Sequence, residues 1–126
     1  MDVFTSYWQN PRLGGWDGQV VGISRGVPRW HLPYRYTRLP ALFPGHELLA
    51  GYRAEKITSE QYAPVYLQHL NTLGVEKVIS LIESKYDGRP LALVCWCAPS
   101  KFCHRHLLAQ WLEEQCGFVI QELERG

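Results

Sequence analysis

The hydrophobic positions along the chain fall into short apolar runs separated by stretches with helical periodicity. Three runs, at residues 3–7, 20–24 and 91–95, have the length and composition of buried strands. Thr58 and Gln61 have the spacing of a helix capping box, and apolar residues then recur with helical periodicity up to residue 73. Pro64 falls inside this pattern, so we expect the helix either to start later or to be kinked there.

Two further segments also have helical periodicity. Apolar residues repeat over residues 75–86, and residues 103–116 form the clearest helical pattern, with Gly117 placed to end it. A last strand is predicted to begin at residues 118–120. Residues 26–57 contain four prolines and predict little regular structure beyond a helical turn, and so long a connection in a compact domain is often functional.

Strands that alternate with helices indicate a mostly parallel sheet covered on both faces. We therefore predict a small α/β fold, Rossmann-like or flavodoxin-like, in which the 126 residues form a single domain over 1–126. No apolar run approaches the ~20 residues that cross a bilayer. The first residues lack the features of a signal peptide, so we expect no membrane association and a cytoplasmic location.

Charge is distributed unevenly along a nearly neutral chain. The formal net charge is +1, which argues against a broad electrostatic attraction to nucleic acid. No acidic residue occurs between Asp17 and Glu47, and this stretch contains four arginines. They are Arg25, Arg29, Arg35 and Arg38. A focused anion site is the feature that this pattern predicts.

Two predicted strands end at chemically active residues. One ends at Ser24 and Arg25, and the other ends at residues 95–97. If the strands are parallel, both ends lie at the same edge of the sheet, where α/β proteins form their sites. The helix that begins near Cys103 adds free N–H groups and a positive dipole end, which favour an anion. The predicted ligand-binding residues are Ser24, Arg25, Arg29, Cys95, Lys101 and Arg105.

A helical projection of residues 103–116 sorts the neighbouring side chains. His104 falls on the apolar stripe that faces the sheet, whereas His106 points away from it. His104 is therefore either a buried imidazole bonded to a backbone carbonyl or a catalytic acid–base group. Cys103 at the helix start is a candidate nucleophile, because helix N-termini and nearby arginines lower the pKa of a thiol. His104 and Cys103 are the candidate catalytic residues.

Three of the four cysteines lie close together in the sequence. Without a secretion signal, we expect them to be reduced rather than paired. Cys95, Cys97, Cys103 and His104 provide four ligands of the kind that zinc accepts, although their spacing is not a standard zinc pattern. No cofactor is the first expectation, and zinc is the alternative.

These residues resemble the signature of the domain-of-unknown-function 488 family. The resemblance rests on Leu93-Val94-Cys95 followed by Cys103-His104-Arg105, with support from residues 20–30 and 57–66. It implies an α/β fold and no established reaction. It marks Cys95, Cys103, His104, Arg105, Arg25 and Pro28 as the family's positions. Family members often have an acidic residue at the position of Cys97, which argues against a three-cysteine metal site shared by the family.

Three functions follow from these patterns. The first is binding, with or without hydrolysis, of a phosphate-bearing ligand such as a nucleotide or a nucleic-acid end, because interleaved arginines and aromatic rings can bind phosphates and stack bases. The second is a zinc-binding module. The third is a non-enzymatic interaction protein that docks an acidic partner. The third is favoured if Arg25, Arg29 and Trp30 are exposed while His104 and Arg105 form only internal hydrogen bonds.

Overall fold

The computed structural model describes residues 1–97 and 101–125. The strands in these residues are β1 (Val3–Tyr7), β2 (Gln19–Gly22), β3 (Thr37–Arg38), β4 (Leu91–Cys95) and β5 (Gln121–Glu122). The α-helices are α1 (His46–Arg53), α2 (Ser59–Leu73), α3 (Val75–Glu83) and α4 (His104–Cys116). Two short 3-10 helices occupy Pro11–Gly15 and Pro40–Leu42. None of the helices in the described residues combines the length and apolarity needed to span a membrane.

The five strands form one parallel sheet in the order β3-β2-β4-β1-β5. The predicted α/β fold class with a parallel sheet is therefore confirmed. In the centre of the sheet, Gly22 of β2 lies opposite Val94 of β4, and Tyr7 of β1 lies opposite Cys95. Because every strand runs in the same direction, all their carboxyl ends meet at one edge, which we call the carboxyl edge.

The core has two layers, one on each face of the sheet. All five residues of β4 are buried, as expected for the central strand of a parallel sheet. Leu91 and Leu93 join an apolar cluster with α2, α3 and α4, whereas Ala92 and Val94 join a second cluster on the other face. That second face is covered by the 3-10 helix Pro11–Gly15 and by the loop that follows β2, rather than by long helices.

Several element boundaries differ from the sequence expectations. The capping box of α2 is present, with Gln61 N–H donating to Thr58 Oγ1 and Thr58 N–H donating to Gln61 Oε1. Pro64 lies inside α2, so a later helix start is wrong. The last strand, Gln121–Glu122, begins after residues 118–120 rather than at them, because Phe118 and Ile120 instead pack against the helical cluster. The sequence also gave no sign of β3, which is two residues long and pairs with the end of β2.

Candidate functional site

The segments that follow β2 and β4 meet at the carboxyl edge. The imidazole Nε2 of His104 lies 2.7 Å from the carbonyl oxygen of Ile23, the residue after β2. The indole N–H of Trp96, after β4, donates to the carbonyl oxygen of Gly26 over 3.0 Å. The parallel pairing of β2 with β4 therefore brings the arginine-bearing loop and the cysteine–histidine turn together, as the sequence predicted.

Three predicted site residues form a buried group at this edge, which we call the Cys–His cluster: Cys95, Cys103 and His104. Their ligand atoms, two Sγ atoms and one imidazole nitrogen, all lie within 4.8 Å of one another. The two sulfur atoms are in direct contact, and the corresponding Cα atoms are 7.8 Å apart. The expectation that none of the cysteines is paired is therefore wrong for these two, whose approach depends on the packing of α4 against β4.

Burial and one hydrogen bond define the state of His104. The carbonyl of Ile23 can only accept, so Nε2 carries the proton and Nδ1 carries the lone pair. Nδ1 lies 3.6 Å from Cys103 Sγ. The pKa of His104 is lowered to about 4, chiefly by desolvation and also by the positive charge of Arg105, against the opposing effect of the Ile23 hydrogen bond. The imidazole is therefore neutral at pH 7.

Arg105 lies in the interior rather than facing a ligand. Its side chain is fully buried and forms an ion pair with Glu122 of β5, with Nη2 2.9 Å from Oε2. Nη1 donates to Cys95 Sγ over 2.8 Å and to the carbonyl oxygen of Cys97 over 2.6 Å. The structure therefore places Arg105 where it positions the end of β4, and it does not support the prediction that Arg105 binds a ligand directly.

Glu122 is the site residue that the sequence reasoning missed. Its Oε1 also accepts from Thr5 Oγ1 over 2.7 Å, so the carboxylate links β1, β5 and the start of α4. A physical signal could have found it: a buried guanidinium requires a carboxylate partner, and Glu122 and Glu124 come soon after the last predicted strand.

Among the other predicted ligand-binding residues, Ser24 is buried and the cations are exposed. Ser24 Oγ accepts from the indole N–H of Trp8 over 3.0 Å and donates to the carbonyl oxygen of Gly26 over 2.6 Å. Arg25, Arg29 and Lys101 are exposed. Arg25 uses one donor, Nε, to bind the carbonyl oxygen of Pro44. Ser24 therefore shapes the loop after β2, whereas the three cations face solvent.

Two tryptophans accompany these cations. Trp30 is 51% exposed and packs against Trp96 with ring centroids 5.6 Å apart in an edge-to-face arrangement. We call Arg25, Arg29, Trp30 and Trp96 the arginine–tryptophan rim. The rim combines accessible positive charge with an accessible aromatic face at the carboxyl edge.

Cys97 and His106 differ from their predicted positions. β4 ends at Cys95, so strand alternation does not extend to Cys97, and Cys97 is not part of the cluster. Cys97 is a free, half-buried thiol whose pKa is raised by desolvation. The predicted four-ligand set is therefore reduced to three among the described residues. His106, predicted at the surface, is half-buried, and desolvation lowers its pKa.

Two depressions lie near the loop after β2. A groove of about 220 Å³ borders Arg25 and Tyr66, and the ring of Tyr66 packs edge-on against His104. A larger depression of about 570 Å³ lies beside the beginning of β2 and includes Trp16, Arg35 and Arg89. The larger depression is not next to the Cys–His cluster, so volume alone does not indicate the site.

Comparison with known proteins shows the family of the chain. A family model described as "Active DUF488-N3 subclade" matches residues 7–116. No curated protein and no solved structure matches the chain. The matched range includes the Cys–His cluster, Arg105 and the arginine–tryptophan rim, and it ends before Glu122.

Proposed function

The chain belongs to the DUF488-N3 family, and from that premise we propose that it binds a phosphate-bearing ligand at the carboxyl edge. The ligand class is a nucleotide or the end of a nucleic acid. One observation carries the proposal: the exposed arginine–tryptophan rim and the Cys–His cluster lie at the same edge of the sheet, because β2 and β4 are parallel neighbours.

Each part of the rim suits one part of such a ligand. Exposed guanidinium groups bind phosphate oxygens with paired hydrogen bonds, and Arg25 and Arg29 are available for this role. An exposed indole offers a face on which a base stacks, and Trp30 provides one. Lys101, exposed near the start of α4, adds a third positive charge. No acidic residue lies between Asp17 and Glu47, so no carboxylate from this stretch competes with the phosphate of the ligand for these cations.

The state of the Cys–His cluster supports binding more than reaction. Cys103 and His104 are the candidate catalytic residues, and both are buried. The low pKa of His104, about 4 because of desolvation, makes the imidazole a weak base. We therefore propose binding and assign no chemical step to these two residues.

Calorimetric titration tests the proposal. Nucleoside mono-, di- and triphosphates and short oligonucleotides with and without a 5′-phosphate are titrated into the protein. We expect saturable binding of phosphorylated ligands. The double variant R25A/R29A should weaken it at least ~10-fold, which corresponds to the loss of about 1.4 kcal/mol.

Arg89→Ala is the matched control, because Arg89 is also exposed but lines the larger depression, just before the beginning of β4. The Arg89→Ala variant should bind the phosphorylated ligands with the affinity of the wild type. Binding that is lost in Arg89→Ala and retained in R25A/R29A would move the site to that depression and overturn the proposal. No binding of any ligand in the series would also overturn it.

An interaction surface for an acidic protein segment is the second candidate. It is favoured because Arg25, Arg29 and Trp30 are exposed while Arg105 is engaged internally. An unphosphorylated glutamate-rich peptide distinguishes the two functions. If this peptide binds through Arg25 and Arg29 and the nucleotides do not, the interaction surface is the correct function.

A further inference from the structure

We propose that the Cys–His cluster, when Cys95 and Cys103 are reduced, binds one zinc ion through Cys95 Sγ, Cys103 Sγ and His104 Nδ1. This inference goes beyond ligand binding at the rim and does not depend on it. It concerns the buried floor of the carboxyl edge, whose three residues come from the end of β4 and the start of α4.

The spread of the three ligand atoms suits a single ion. Zinc bonds sulfur at about 2.3 Å and imidazole nitrogen at about 2.0 Å, so tetrahedral ligand atoms lie within about 4 Å of each other. In the cluster all three atoms lie within 4.8 Å. Small side-chain rotations would therefore complete the coordination without a change of fold.

The backbone spacing of the two cysteines also favours an ion between their sulfurs. The Cα atoms of Cys95 and Cys103 are 7.8 Å apart. A direct disulfide usually holds the Cα atoms within about 7 Å. A metal ion replaces the single S–S bond with two metal–sulfur bonds and one further atom, so it accommodates the wider spacing.

His104 is already in the form that a metal requires. Its Nε2–H donates to the Ile23 carbonyl, which leaves the lone pair on Nδ1, on the side of Cys103 Sγ. Metal-binding histidines characteristically donate their other N–H to a carbonyl or carboxylate, which fixes the tautomer and the ring orientation. The contact with Ile23 provides this second interaction.

The charges in this buried region balance once zinc is bound. Two thiolates neutralise one Zn²⁺, and a neutral group costs little to bury. Arg105 donates a hydrogen bond to Cys95 Sγ, which favours the thiolate, while Glu122 balances the charge of Arg105. The described residues supply three ligands, the number that catalytic zinc sites retain while keeping one position open.

Metal analysis of the whole chain tests the proposal. Protein purified with a phosphine reductant, without chelator and without a histidine tag, should contain about one equivalent of zinc. Zinc-free protein titrated with Co²⁺ should develop the thiolate-to-cobalt charge-transfer band and the visible bands of a tetrahedral site. Cys95→Ser and Cys103→Ser should each lower the metal content at least tenfold. Cys97→Ser and Cys116→Ser are the controls, because both thiols are free, and they should retain it.

Three results would overturn the proposal. The first is less than about a tenth of an equivalent of zinc together with no cobalt bands in reduced wild-type protein. The second is a mass lower by two hydrogens that maps to a Cys95–Cys103 disulfide under those conditions. The third is full metal content in the doubly substituted C95S/C103S protein. Because the cobalt titration uses the wild type, misfolding of a variant does not affect the decision.

Discussion

The imidazole Nε2 of His104 and the carbonyl oxygen of Ile23 are 2.7 Å apart, although the two residues are separated by 81 positions in the sequence. The bond fixes the first residue of α4 to the end of β2. It thereby joins the two segments that carry the exposed arginines and the buried thiols, and it sets the imidazole tautomer. The architecture of the proposed site depends on this contact.

Arg105→Ala should destabilise the fold strongly. The substitution leaves the Glu122 carboxylate without its cation and removes a donor from Cys95 Sγ. Breaking a buried pair costs about 3–5 kcal/mol, and we expect the lower end because Glu122 is 25% exposed. Urea unfolding followed by circular dichroism measures the change.

A double variant distinguishes the free energy lost with the ion pair from the free energy lost with side-chain packing. In the R105A/E122Q double variant no carboxylate is left unpaired, so the two changes should cost less together than the sum of the single variants. Arg89→Ala, in an exposed pair with Asp87, should leave the unfolding midpoint unchanged. An Arg105→Ala protein as stable as wild type would contradict the account of this residue.

The stability of zinc-free protein should fall as the pH drops from 6.5 to 4. Desolvation lowers the pKa of His104 from its usual 6.5 to about 4. Between these values the unfolded chain binds a proton that the folded chain excludes, so stability is retained above 6.5 and lost toward 4. The loss approaches about 1.4 kcal/mol per pH unit, or roughly 3 kcal/mol in all.

His104→Asn isolates this contribution. Asparagine can donate to the Ile23 carbonyl but does not titrate, so the variant should lack the part of the slope that His104 supplies. The groups around the imidazole are Arg105, His106, Cys103 and Tyr66, and the variant retains all four. Equal pH slopes in the two proteins, measured by urea unfolding at each pH, would show that His104 is not held neutral by burial.

Gly22→Ala should destabilise β2 by steric overlap. A Cβ atom at residue 22 would lie 2.8 Å from the Trp8 ring, which is buried and donates to Ser24. Overpacking of this kind typically costs 1–3 kcal/mol, so we expect about 2 kcal/mol in urea unfolding. Gly15→Ala is the control, because a Cβ there has no atom within 4 Å in the described structure. If both variants match the wild type, the packing of Trp8 against β2 is not as described.

The parts of the fold that hydrophobicity alone determines were predictable. The apolar run 91–95 became the central strand β4 with its predicted limits, because a strand buried on both faces needs no polar positions. Gly117 ends α4 with φ 73°, a left-handed conformation that glycine adopts without strain. The projection of α4 also placed His104 toward the sheet, where it is buried.

Long-range partners were not predictable. Arg105 lies on the flank of the α4 stripe, where projection cannot distinguish a solvent-facing arginine from one paired with Glu122 on another strand. Ile23 as the partner of His104 follows only from the strand order, which the sequence pattern does not specify. Two-residue strands such as β3 and β5 are too short for alternation to be visible.

Nuclear magnetic resonance of the tryptophan indole N–H groups tests the proposed ligand site most directly. Trp30 and Trp96 belong to the arginine–tryptophan rim, Trp16 lines the larger depression, and Trp111 bonds Asn71 away from both. During titration with a nucleotide, the signals of Trp30 and Trp96 should shift together and saturate, while that of Trp111 stays in place. Unchanged rim signals, or a shift confined to Trp16, would contradict binding at the carboxyl edge.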